Sequence, residues 1–272
     1  MSDDADTGVS VAEQHLAVRD QTRLALARTE GSQFNAIRVP LVPVACWRLG
    51  APGFAFDASF PAPTFKDEIT KLSTIVKANS GCPAALFGHC DPAGSDQLNK
   101  TLGDRRAIAI YALLTRQVAL WADLYDNPQV GDTWGTPALQ TILASLEDKQ
   151  GSPYYAGAID GDYGSGTTAA VKCFQPSASL PATGKADAAT RDALFAGYMD
   201  WLCTPGPGSP SAPAFKMDAA DFLGAGGPGD LPKASLQGCS EFNPVVLLPA
   251  SEMKGSGDNS QRDSDDAPIA GW

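Results

Sequence analysis

Proline and glycine break this chain at short intervals, at 21 and 27 of its 272 residues. With charged residues at only 19%, such punctuation points to a loop-rich globular protein and argues against a coiled coil or a solenoid. The length suggests about two domains at ~150 residues each. Between the breaks lie short apolar segments. Ala36–Leu49 is β-branched, but Pro40 and Pro43 confine it to an edge strand or an extended lead-in. Phe54-Ala55-Phe56-Asp57 alternates like a short strand. Phe65 to Lys77 carries Phe65, Ile69, Leu72, Ile75 and Val76 at helical spacing. Ala84 to Gly88 reads as a buried strand, and Leu102 to Leu114 as a second helix. This β-α-β-α order argues for an α+β or α/β fold.

Trp121 to Trp134 reads as a helix-breaking connection. Beyond it, Leu139–Leu146, Thr167–Phe174 and Ala188–Trp201 each fit a helix of a second module. Thr204 to Gly229 is rich in Pro, Gly and Ser and reads as a linker. A strand-like pattern resumes at Gly238–Leu248. The last residues are acidic and polar, with the composition of a disordered tail.

Lys and Arg number 20 against 31 Asp and Glu, a net charge of −11. Such a polyanion is poorly suited to nucleic acid or to an anionic membrane surface. No apolar run is long enough for a transmembrane helix, so no membrane insertion is expected. The start, Met1-Ser2-Asp3-Asp4, lacks the basic and apolar regions of a secretory signal, which favours synthesis in the cytoplasm. Two histidines and six cysteines, with neither Cys-x-x-Cys nor His-x-x-x-His, argue against zinc, and no cofactor is expected. Cys82 and Cys90 bracket one strand too far apart to pair, while Cys46–Cys239 and Cys173–Cys203 are open possibilities.

Gly88 to Ala107 concentrates the chemistry. A strand end leads into a polar loop and then a helix start. Asp91 is delivered into the loop, and Arg106 is expected in the first turn of the helix. Facing charges of this kind suit a zwitterion: the carboxylate takes an ammonium and the guanidinium grips a carboxylate. Equally, Asp91 and Arg106 could pair with each other and cap the loop. His89 could contact a ligand there, but reads first as a partly buried strand-end residue. The segment resembles the OmpA-like peptidoglycan-binding domain, whose pattern runs Gly-x-Thr-Asp-x-x-Gly, then Asn-x-x-Leu-Ser-x-x-Arg-Ala. Gly88, Asp91, Gly94, Asn99, Leu102, Arg106 and Ala107 fall in register. The resemblance implies a site for the diaminopimelate of the peptidoglycan stem peptide, with Asp91 on its ammonium and Arg106 on its carboxylate. Asn99, Gly94, Cys90 and Leu102 complete the implied ligand-binding set. Cys90 stands where the family has Thr or Ser, and Gly103 where it has a helix-capping Ser.

The second constellation is Asp160-Gly161-Asp162-Tyr163-Gly164, with Thr167 expected to cap a helix facing inward through Ala170, Val171 and Phe174. A shorter copy follows at Gly184, Asp187 and Thr190. This stretch is similar to the small helical peptidoglycan-binding domain found beside many cell-wall hydrolases. Asp160, Gly161, Tyr163, Gly164, Thr167, Ala170, Val171, Phe174, Gln175, Gly184, Asp187 and Thr190 carry the likeness.

Together these readings give an α+β chain: an OmpA-like β-α-β-α-β sandwich carrying an inserted three-helix module. The expected organisation is an N-terminal arm (1–36), an OmpA-like domain (37–117 plus 236–250), the helical module (136–203), a linker (204–235) and a disordered acidic tail (251–272). The sandwich's last strand is expected to be missing or replaced, and excision of the helical module is expected to leave the OmpA-like part folded. The implied function is non-catalytic peptidoglycan binding that anchors an envelope, secretion or phage-tail-like injection assembly at the cell wall or periplasm. A wall-remodelling enzyme, or an accessory subunit of a cell-wall hydrolase, is the alternative.

Overall fold

The computed structural model describes residues 53–90, 95–129, 131–205, 213–223, 236–238, 246–247 and 269–270. All belong to one compact unit, Trp47–Trp272. The expected arm, the Ala36–Leu49 segment, Asp91, Gly94, Cys46, Cys239 and most of the linker and tail lie outside the described residues. The fold is mixed: six α-helices and two small two-stranded sheets among the described residues.

Helix α1 is Phe65–Ala78. Asp67 and Glu68 in its first turn and Lys77 in its last oppose its dipole, and it buries Phe65 and Ile69. Strand β1 is Leu86–Gly88. Helix α2, Asp96–Thr115, starts earlier than the apolar pattern suggested, because Ser95 caps it by accepting from the Leu98 N–H. Gly103 is therefore no cap, and Arg106 lies about three turns in rather than in the first turn. Phe54–Asp57 is not a strand. It forms a turn with Asp57 at φ 51°, held by a single antiparallel bridge from Phe54 to Pro61.

The region read as a helix-breaking connection contains α3, Val118–Asp126, whose Trp121 is fully buried. Three helices follow: α4 (Gly135–Ser145), α5 (Ser165–Phe174) and α6 (Ala188–Cys203). They do not form a detached bundle. Phe60 stacks on Tyr198 with centroids 5.6 Å apart, while Trp121 and Trp134 meet edge to face at 5.4 Å and both meet Phe195. Tyr198 donates to the Pro61 carbonyl at 3.1 Å. Arg116, just past α2, pairs with Asp200 of α6, and Arg191 of α6 pairs with Asp126 of α3. One hydrophobic core thus runs from α1 to α6. The expectation that the first part would survive excision of the second conflicts with this packing.

Part of the expected linker is also built in. Residues 213–223 form a strap that buries Met217 and Phe222. The Met217 N–H donates to Leu114 O at 2.9 Å, Phe222 meets Tyr111 edge to face at 4.8 Å, and Ala84 bridges to Phe222. The chain then returns as β2, Leu236–Gly238, which pairs parallel with β1 in the register Leu86↔Leu236 and Gly88↔Gly238. Helix α2 lies on this ribbon at backbone contact. A Cβ on Gly88 would sit 1.9 Å from Gly103 O, and one on Gly238 would sit 2.4 Å from the Asp104 nitrogen. Asp104 accepts from the Gly238 N–H at 2.6 Å. Two further strands, β3 (Val246–Leu247) and β4 (Ile269–Ala270), pair antiparallel, so the tail is not featureless at its end. Cys82, Cys173 and Cys203 form no disulfide, which removes the Cys173–Cys203 option.

Candidate functional site

Arg106 projects from α2 toward the turn that precedes α1. Its Nε donates to Ala58 O at 2.9 Å, Nη1 to His89 O at 2.8 Å and Nη2 to Ala55 O at 3.3 Å. The guanidinium also lies 5.1 Å from the Phe54 ring centroid. A planar fork is suited to this task, since its N–H groups diverge to three carbonyls at once. Asn99, Leu102 and Arg106 fall at i, i+3 and i+7 on one face of α2. Asn99 is buried, and its carbonyl accepts from the Cys90 thiol at 3.2 Å. The structure therefore brings Arg106, Asn99, Leu102 and Cys90 to one corner, where β1 ends and α2 begins. Asp91 and Gly94 are not described, so the geometry of the expected carboxylate–guanidinium pair is not on view.

The neighbouring Arg105 was not singled out by the motif, yet it is the more deeply placed. Its Nε donates to Asp132, Nη1 to Asn127 O at 3.0 Å and Nη2 to Leu124 O at 2.8 Å. It thus caps the C-terminal end of α3. Asp132 also accepts from the Ser59 N–H at 2.8 Å and the Ser59 hydroxyl at 2.6 Å, and Ser59 Oγ accepts from Trp134 Nε1 at 3.0 Å. This buried network fixes the 53–61 segment whose carbonyls hold Arg106. Its signal in the sequence was positional: Arg105, Ala109 and Ala112 share one stripe, and arginine enters a buried stripe only when paired.

The helical module is organised by two glutamines. Gln175 Nε2 donates to Thr183 Oγ1, Lys185 O and Thr190 Oγ1, each at 3.0 Å, while its Oε1 accepts from the Gly184 N–H at 2.8 Å. Gln140 repeats the device one copy earlier. Its Nε2 lies within hydrogen-bonding distance of Asp160 Oδ1, Asp162 O, Thr167 Oγ1 and the Tyr155 hydroxyl, and its Oε1 accepts from the Gly161 N–H at 2.9 Å. Gly161 and Gly184 both adopt positive φ, 77° and 73°. Thr167 is not a helix cap, since Gly164 precedes α5 and the Thr167 hydroxyl donates to Asp162 O. In the second copy the cap is Asp187, which accepts from the Thr190 N–H. Gln140 was missed by sequence reasoning. The equal Gly-to-Thr spacing in Gly161/Thr167 and Gly184/Thr190 implied a second glutamine to match Gln175. Hydrogen bonds from Gln140 and from the Asp162 N–H hold the Asp160 carboxyl below its ordinary range, and bonds from the Thr190 hydroxyl and N–H do the same for Asp187.

Comparison with curated proteins and with solved structures finds no match. The two glutamine clasps and the helices they join coincide with what does match: residues 137–194 fit the family model PG_binding_1, described as "Putative peptidoglycan binding domain".

Proposed function

We propose that this chain is a non-catalytic binder of bacterial peptidoglycan acting at the cell wall. The match of residues 137–194 carries the reading, supported by the intact pair of clasps that shape that module. A second contact is assigned to the corner of Arg106, Asn99, Leu102 and Cys90, with the adjoining Gly94 and Asp91. There Arg106 takes the carboxylate and Asp91 the ammonium of diaminopimelate in the stem peptide. The motif spacing and the bond from Arg106 Nη1 to the carbonyl of His89, two residues before Asp91 in the sequence, support this assignment. Because α2, α3 and α6 share one core, the two contacts sit on one body and not on a flexible tether. Such a rigid two-point reader suits the anchoring of a larger envelope or injection-type assembly.

A sacculus pull-down tests the reading. The full chain should sediment with purified sacculi and produce no clearing in a zymogram. Excess diaminopimelate peptide should release part of it. Arg106→Ala should lose about 2–5 kcal/mol of peptide affinity. Arg106→Lys should recover little, because the fork and not the charge alone is needed. A chain that stays in the supernatant at all sacculus loadings overturns the proposal.

A further inference from the structure

A groove of about 430 Å³ lies where the helical module meets the segment leading into α1. It is lined by Pro63, Thr141, Ala144, Ser145, Glu147, Ile159 and Trp201. Its volume falls in the range of small-ligand sites. Pro63 and Trp201 lie outside residues 137–194, so the groove belongs to this chain's particular fusion and not to the matched module alone. Ile159 is 49% exposed at its wall, an unusual placement for a large aliphatic side chain.

Polar groups stand at and beside this groove. Lys66 Nζ sits 4.1 Å from the Trp201 ring centroid, and among the described residues no carboxylate lies within ion-pairing distance of it. Burial lowers its pKa, with Glu147 opposing that shift from a distance. Trp201 stacks on Tyr198, and its Nε1–H has no acceptor among the described residues, unlike those of Trp121 and Trp134. The Thr141 and Ser145 hydroxyls each donate to their own helix, at 2.8 Å, which leaves lone pairs as acceptors on Thr141 and, beside its contact with the Tyr198 hydroxyl, on Ser145. The groove therefore offers a carboxylate, hydroxyl acceptors and apolar walls, and beside its Trp201 wall stand the indole N–H and the Lys66 cation, which is not itself a lining residue. That set fits a short peptide with a free carboxylate, amide or ammonium N–H groups and methyl-sized side chains.

We infer that this groove is a second stem-peptide site, in which Lys66 and the Trp201 N–H take a peptide carboxylate, Glu147 with Thr141 and Ser145 takes N–H groups, and Ile159 and Ala144 take an alanine methyl. The inference rests on the peptidoglycan reading above. Glycan strands stripped of peptide keep only the lactyl carboxylate of muramic acid and bring no free ammonium to Glu147 and no alanine side chain to Ile159, so the occupant that engages the whole groove is the peptide.

The test uses the full chain and the tripeptide L-Ala-γ-D-Glu-meso-diaminopimelate. In an NMR titration the Trp201 indole N–H signal, assigned by its loss in Trp201→Phe, should shift with the tripeptide and stay still with peptide-free glycan. By calorimetry in an Arg106→Ala background, binding should persist. It should fall roughly tenfold with Lys66→Glu or Ile159→Ser, the scale of one charge-assisted hydrogen bond or a lost apolar contact. An unmoved indole signal on a chain that still binds sacculi overturns the groove and spares the wider function. A shift with bare glycan overturns the choice of peptide. A chain that binds neither sacculi nor tripeptide overturns both.

Discussion

Replacing Asp132 by alanine should be among the most damaging single changes in this protein. Its side chain is 2% exposed and its Arg105 partner 9%. Removal leaves a buried guanidinium with only the carbonyls of Leu124 and Asn127, and strips the acceptor from both the N–H and the hydroxyl of Ser59. Breaking one side of a buried pair costs about 3–5 kcal/mol. Set against a total stability of ~5–15 kcal/mol, that is a large fraction. At roughly 2–4 °C per kcal/mol it lowers Tm by about 10 °C. Thermal unfolding followed by circular dichroism measures the shift. A cycle with Arg105→Met isolates the pair, and a coupling of about 2 kcal/mol is expected between residues in direct contact. Since Ser59 anchors the segment that holds Arg106, tripeptide affinity should fall in parallel. A Tm within ~2 °C of the parent, or additivity within about 0.5 kcal/mol, would refute the argument.

Other expectations follow from the same geometry. Gly88→Ala should prevent α2 from seating on β1, since the added carbon would meet Gly103 O at 1.9 Å, and the variant should lack a cooperative unfolding transition. Gln140→Ala and Gln175→Ala should each cost about 1–3 kcal/mol in urea unfolding by orphaning the Gly161 or Gly184 N–H and its neighbours, with effects of similar size. Asp160 and Asp187 titrate below their usual 3.8 when folded, so their stabilisation is present above that value and is lost as pH falls through the lower folded one. Acid titrations should therefore show stability falling more steeply below pH 4 in the parent than in Asp160→Asn/Asp187→Asn. Excision of 136–203 should expose Trp121 and Trp134, seen as strong binding of a hydrophobic dye, whereas a native-like near-ultraviolet spectrum would contradict the shared core.

Local patterns were legible where local forces decide. The apolar spacing marked α1 to within a residue, and the Gly-Asp-Thr copies marked the loops around α5 and α6. What escaped was set by distant partners. Phe54–Asp57 alternates like a strand, but Arg106 claims the Ala55 and Ala58 carbonyls and draws the chain into a turn. Val118–Asp126 was hidden among its bulky aromatics, whose helicity depends on packing against α6. Residues 213–223 carry the composition of a linker, and distant partners such as the Leu114 and Cys203 carbonyls, Ala84 and the Tyr111 ring explain why they dock. At the candidate site, motif spacing pointed to Arg106, while Arg105 and Gln140 matter through partners 19 to 27 and 15 to 27 residues away.

The glycine seam between α2 and the β1–β2 ribbon also governs the order of assembly. Leu236 must find Leu86 about 150 residues upstream, a closure that costs roughly 4 kcal/mol in chain entropy if nothing else is in place. A three-residue parallel ribbon returns little for that cost. The aromatic junction of α3, α4 and α6 must already have folded the intervening chain, which makes the β1–β2 pairing a late step. By the same reasoning it opens early. Amide exchange should be fastest at Gln237 and Gly238 while the Trp121–Phe195 region stays protected, and each brief departure bares the Lys100–Asp104 side of α2 on which Gly238 sits.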